Sequence, residues 1–205
     1  KNASALTSVD LGGREIDDGG MKTIAQGLSD NKIITDLNLS YASFGVVGIR
    51  AIGTMLSCNT TLTSLNLMNI DWSPHCMELL ANGLSKNISL EDLCLGWNGI
   101  NDADAVVLSE GLQNNPELKK LWLMGNSINA EGAKALATLL SNDQLSLTTL
   151  DLERNSIGSE GAQALAVALR TNITLKKLCI GKNSIKANGA IALGDALRIN
   201  HTLEA

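Results

Sequence analysis

Apolar side chains return in one frame along almost the whole chain, and that frame contains two different periods. Its fullest copy reads Leu118-x-x-Leu121-x-Leu123-x-x-Asn126-x-Ile128-x-x-x-Gly132-x-x-x-Leu136-x-x-x-Leu140. Up to Leu123 the apolar positions come to alternate, which sets successive side chains on opposite faces of a strand. Leu121 and Leu123 should therefore point inward, and Lys120, Trp122 and Met124 outward. Beyond Ile128 the spacing becomes four, with Ala133, Ala135 and Ala137 in between, as in a helix with one buried stripe. Alanine favours helix and is small enough to let a helix lie close to its neighbours. A glycine recurs near the predicted helix start in five of the seven units, as Gly20, Gly48, Gly132, Gly161 and Gly189, where bulk would hold the two layers apart.

The frame opens at Leu6, Ile34, Leu62, Leu90, Leu118, Leu147 and Leu175, and a truncated eighth copy opens at Leu203. The period is 28 residues, lengthened once by a single residue at Leu145-Ser146-Leu147. A unit this short cannot bury its own apolar face and stacks on its neighbours instead, so the repeat predicts a solenoid. Every strand is followed by a helix and the next strand enters in the same direction, which makes the sheet parallel. Strands stack about 4.8 Å apart and helices about 10 Å apart. The stack must curve, with the parallel sheet on the concave face and the helices on the convex face. The expectation is an α/β horseshoe segment forming a single domain over residues 1–205. Neither end carries a polar capping unit, so the chain reads as a fragment of a longer one.

An asparagine closes the strand in the last four units, at Asn98, Asn126, Asn155 and Asn183. Its side chain can bond backbone groups that a stacked turn would leave unpaired. Arg14, Ala42 and Ile70 hold that place in the first three units. With this position included, the unit from Leu6 to Leu203 resembles the ribonuclease-inhibitor class of leucine-rich repeats. Asn172-Ile-Thr-Leu-Lys-Lys-Leu178 and Gly161-Ala-Gln-Ala-Leu-Ala166 are similar to the C-terminal arrays of NOD-like receptors. The resemblance implies the leucine-rich repeat fold and a recognition role, possessing high specificity for the first and little for the second. The array also resembles that of the Ran GTPase-activating protein, which implies an alternative in which Arg154 or Arg14, at the strand-to-turn edge, assists GTP hydrolysis. The acidic tail of that family has no counterpart here.

The formal charge of −5 and pI near 5.0 argue against nucleic acid as a partner, because a phosphate-binding face needs a basic stripe. No run approaches the roughly 18 apolar residues of a membrane span. The four cysteines share no spacing, and Cys94 and Cys179 lie three strands apart, roughly 14 Å and too far for a disulfide. Free thiols imply a reducing, cytoplasmic compartment. Six N-x-Ser/Thr sequons occur, at Asn2, Asn38, Asn59, Asn87, Asn172 and Asn200, and four of them share one repeat position. Repetition of a turn motif produces such sequons without glycosylation.

Catalytic constellations are nearly absent. The two histidines, His75 and His201, fall in distant units, and neither a phosphate-binding Gly-x-x-x-x-Gly-Lys loop nor a Gly-x-Ser-x-Gly elbow is present. No enzyme activity, cofactor, metal or small-molecule substrate is expected. What remains is the variation between copies on the outward strand positions. The chain has five aromatic residues; Phe44 and Trp72 replace a turn isoleucine and read as core, while Tyr41, Trp97 and Trp122 register on the inner face beside Met68 and Met124. Large apolar side chains on an exposed sheet mark an interaction site. With the neighbouring charges Asp151, Glu153 and Arg154 they form the expected partner-binding set, for a protein partner on the concave face.

Overall fold

The computed structural model describes residues 6–70 and 72–204; the sequon at Asn2 lies outside them. The first four units consist of β1 (Ser8–Asp10) and α1 (Asp18–Ser29), β2 (Asp36–Asn38) and α2 (Val46–Leu56), β3 (Ser64–Asn66) and α3 (Cys76–Leu84), β4 (Asp92–Cys94) and α4 (Asp102–Leu112). β5 (Lys120–Trp122) and α5 (Ala130–Leu140), β6 (Thr149–Asp151) and α6 (Gly158–Leu169), β7 (Lys177–Cys179) and α7 (Ala187–Leu197) complete the array. The seven strands form one parallel sheet in chain order, as the strand–helix alternation predicts. Leu37, Leu65, Leu93 and Leu121 pair in register across the sheet. The extra residue of the fifth unit leaves that register intact: Leu121 pairs with Leu150, and Leu145 and Leu147 are both buried. The solenoid, with its sheet and helix layers, is the expected one.

The inward leucines of the strands meet the buried stripe of each helix in one continuous core. Phe44 is wholly buried there, whereas Trp72 is only partly so. Two rows of asparagine stitch the units together. In the strand-end row, the Asn98 amide donates to Leu67 O at 2.8 Å and Leu95 O at 3.2 Å, and its oxygen accepts Ile70 N–H at 2.9 Å. Asn126, Asn155 and Asn183 repeat the pattern one unit further on each time. Without an asparagine of their own, the first two turns close with local backbone bonds, Arg14 N–H to Leu11 O and Ala42 N–H to Leu39 O, both 3.3 Å.

The second row follows the helices. Asn59, Asn87, Asn172 and Asn200 donate to Leu28 O, Leu56 O, Leu140 O and Leu169 O of the preceding unit. Their oxygens accept N–H groups two and three residues on, as at Thr61 and Leu62. These are the four recurrent sequons. Asn59 and Asn87 are 2% exposed, and the amide nitrogen that a glycan would need is spent on the ladder. Aspartates also reach between units: Asp18 Oδ1 accepts the N–H groups of Gly45 and Gly48, and Asp102 Oδ1 those of Asn129 and Gly132, at the starts of α2 and α5. A carboxylate there pairs orphan donors and suits the positive end of the helix dipole.

Helices α2 and α3 approach each other backbone to backbone at Gly53 and Gly83. A Cβ on Gly83 would collide with the Gly53 backbone, whereas one on Gly27 of α1 would meet nothing. Helix propensity alone favours alanine over glycine by about 1 kcal/mol, while overpacking costs about 1–3 kcal/mol. Gly27→Ala should therefore raise the denaturation midpoint and Gly83→Ala should lower it. Equal shifts in both variants would show that the helices can separate to admit a methyl group.

Candidate partner interface on the sheet

The middle outward position of the strands is mostly used by the backbone. Asp10, Asn38, Asn66 and Asp151 fold over to accept the N–H two residues ahead, on Gly12, Ser40, Met68 and Glu153, at 2.8–3.1 Å. This is the local side-chain-to-backbone bonding that short polar residues favour. It leaves Asp151 only 9% exposed, so its contribution to the face is charge rather than a free hydrogen-bonding group. Cys94, Trp122 and Cys179 hold the equivalent places in β4, β5 and β7.

The strand-end position has a further property. It is left-handed in every unit, with φ of 66° at Gly13, 60° at Tyr41, 51° at Asn69, 60° at Trp97, 69° at Gly125, 57° at Arg154 and 55° at Lys182. The conformation is imposed from both sides. The N–H of each of the first six still donates to the next strand, as from Tyr41 to Met68 O and from Trp97 to Met124 O, while the chain already turns toward its helix. Glycine adopts this region freely; a residue with a Cβ pays about 1–2 kcal/mol for it. Two of the seven are glycine. Tyr41 is nevertheless 58% exposed and Trp97 47% exposed, so burial offsets little of that strain.

Three large apolar side chains converge where β4 meets β5. The Trp97 ring lies over Gly125, in the space a Cβ there would need, and the Met124 thioether lies against Gly96 in the same way. The Trp122 indole N–H donates to Asp92 Oδ1 at 2.8 Å, and Lys120 Nζ donates to Asp92 Oδ2 at 3.1 Å. Trp122 is thereby fixed half-buried, with its polar edge satisfied. Tyr41 and Met68 belong to the second and third units, where Tyr41 N–H donates to Met68 O at 2.9 Å. Glu153 and Arg154 sit one unit beyond the cluster, with the Arg154 guanidinium 3.8 Å from the Glu153 carboxylate.

Lys119 pairs with Glu91 at 2.8 Å, and that hydrogen bond raises its ammonium above the usual range. Burial is the main reason that the thiols of Cys94 and Cys179 are pushed up, opposed at Cys94 by the Gly96 backbone bond; negative charge from Asp151 pushes both further up. Both are therefore held as neutral thiols at pH 7, the less nucleophilic form. All four cysteines are free, and among the described residues no cluster of three or more His, Cys, Asp or Glu could hold a metal ion. No helix among those residues is long and apolar enough to cross a membrane.

Repeat position groups Tyr41, Met68, Trp97, Trp122, Met124, Asp151, Glu153 and Arg154 at the outward and strand-end places of the units. It did not locate Asp92, which anchors Trp122 from a different unit, nor Gly96 and Gly125 as seats for the side chains above them. A signal for the seats existed: the two glycines stand at outward positions beside the bulkiest neighbours.

Four stretches of the chain, residues 86–109, 114–137, 144–166 and 171–194, match the family described as Leucine Rich repeat. These segments are leucine-rich repeats. No curated protein matches the chain. Among solved structures it is similar to the tropomodulin C-terminal domain of Caenorhabditis elegans, at 21% identity over 63% of this chain and 77% of that one, with a TM-score of 0.47. It is also similar to actin-binding site 2 of leiomodin-1, at 17% identity over 95% of this chain and 80% of that one, with a TM-score of 0.43. At these values neither structure bears on the site or its partner.

The left-handed row yields a stability prediction. Tyr41→Gly relieves about 1–2 kcal/mol of backbone strain and loses about 0.5–1 kcal/mol to the greater freedom of unfolded glycine. The variant should be more stable than the parent by up to about 1.5 kcal/mol, as read from urea denaturation. A less stable variant would mean that the tyrosine ring supports the fold itself.

Proposed function

We propose that the chain is a non-catalytic protein-interaction module that holds a protein partner on its concave sheet. The residues assigned to that contact are Tyr41, Met68, Trp97, Trp122, Met124, Asp151, Glu153 and Arg154. The observation that carries the reading is the pair of exposed aromatic side chains, Tyr41 and Trp97, kept at left-handed positions where glycine would be free of strain. Strain of this kind persists where the side chain has a use outside the fold. Trp and Tyr also dominate interface energetics, since each buries a large area and retains a polar group. The seating of Trp97 on Gly125 and the bond from Trp122 to Asp92 pre-organise both rings, which reduces the ordering cost of association. The likeness of the segments 172–178 and 161–166 to NOD-like receptor arrays supports a place for the module as the recognition arm of a receptor or scaffold.

Two measurements test this. An unbiased pull-down identifies a binder, and titration then compares the parent with Trp97→Ala/Trp122→Ala. Hot-spot truncations cost about 2 kcal/mol or more each, so the double variant should lose on the order of a thousandfold in affinity while keeping its circular dichroism spectrum. Unchanged affinity would remove the sheet face from the interface.

The GTPase-activating alternative depends on Arg154, whose guanidinium lies beside Glu153 rather than standing free. A single-turnover assay across a panel of small GTPases should find no acceleration of GTP hydrolysis. Stimulation of several hundred-fold that vanishes in Arg154→Ala would establish the activator reading instead.

A further inference from the structure

The charges of the sheet face are divided between its two halves. From β1 to β4 the outward positions, the strand ends and the residue just before each strand carry Asp10, Asp36, Glu91 and Asp92 and no basic residue; Arg14 follows one residue past the end of the first of them. From β5 to β7 the same positions carry Lys119, Lys120, Arg154, Lys176, Lys177 and Lys182 against Asp151 and Glu153. Where the halves meet they neutralise each other, through Lys119–Glu91 at 2.8 Å and Lys120–Asp92 at 3.1 Å. This seam is also where Trp97, Trp122 and Met124 gather. The surplus charge lies at the two ends.

At the acidic end, Asp10 meets only neutral donors, the Asn38 amide at 2.8 Å and Gly12 N–H at 3.0 Å, and Asp36 accepts the Thr35 hydroxyl at 2.6 Å. At the basic end, Lys182 and Arg154 share the single carboxylate of Glu153, at 3.5 and 3.8 Å. Lys176 pairs with Glu204 at 3.2 Å, and Lys177 has no acidic partner among the described residues. Strands about 4.8 Å apart place the Asp36 and Lys177 columns roughly 24 Å from each other. That length corresponds to about 16 residues of helix or about seven of extended chain.

Resting on the proposed use of this face, we infer that its occupant is a protein segment lying across the strands with three zones: a basic end over β1 and β2, an apolar middle over the tryptophan seam, and an acidic end over β7. Charge complementarity of this kind fixes orientation and register more than affinity. A second copy of the chain could match the charges by two-fold pairing. Two concave faces, however, would touch at their rims and leave Trp97 and Trp122 uncovered, so a single narrow segment fits the face better.

The test uses random 16-residue peptides displayed against the immobilised protein at low salt, followed by titration of the enriched peptides in synthetic form. Enriched sequences should carry Lys or Arg at one end, Asp or Glu at the other and apolar residues between. Asp10→Lys/Asp36→Lys should weaken them about tenfold, an effect that shrinks as salt rises, and a peptide whose basic end is changed to acidic should recover the loss. Lys177→Glu/Lys182→Glu provides the mirror experiment at the other end. Peptides that need the two tryptophans but ignore both charge reversals overturn the polarity and leave the sheet interface standing. Peptides indifferent to the tryptophans overturn both. The inference also fails if no peptide is enriched, or if sedimentation finds a tight dimer that peptides do not displace.

Discussion

The structure depends on how backbone polar groups are satisfied at the two turns of each unit. Stacking units into a solenoid buries those turns, and an unpaired buried carbonyl or N–H costs about as much as a lost hydrogen bond. Asparagine is suited to the place because its amide both donates and accepts. Asn126 gives its N–H groups to Leu95 O and Leu123 O and takes those of Asn98 and Ile100. Each such residue joins two successive units, so a turn is complete only when its neighbour is present. The same dependence holds in the core, where every leucine layer is closed by the next.

That dependence has a consequence for the sheet face. Inward positions and turn asparagines are committed to neighbouring units, and the middle outward position is largely committed to the Asx bonds of the strand ends. Variation is left to the first outward position and to the two residues at the strand end. The left-handed residue is the most exposed of these, and it is where Tyr41, Trp97, Arg154 and Lys182 stand. Aromatic character collects at β4 and β5 because Gly96 and Gly125 leave room for Met124 and Trp97 to lean across in opposite directions.

Much of this could be read from the chain. The change of apolar spacing from two to four within each frame determined strand, turn and helix, and the fixed period determined that units stack in sequence order. Outward side chains followed from the parity of a strand, which is why Met68, Trp122 and Met124 were assignable to one face without coordinates; Tyr41 and Trp97 stand one residue further on, at the strand end, where parity no longer decides. The recurrent sequons were legible as a turn motif, although their role as a second ladder between units was not.

The tertiary structure alone decided what each outward residue does. Partners such as Asp92 and Trp122, or Asp18 and Gly48, lie about one repeat apart and bear no local mark of their pairing. The left-handed backbone at the strand end was equally hidden, because only two of its seven residues are glycine, the usual signature of that conformation. Sequence periodicity reports which side of an element faces the core, since burial repeats with the element's own geometry. Hydrogen bonds across units and the backbone angle of a turn depend on the distance between neighbouring copies, and that distance exists only after they have stacked.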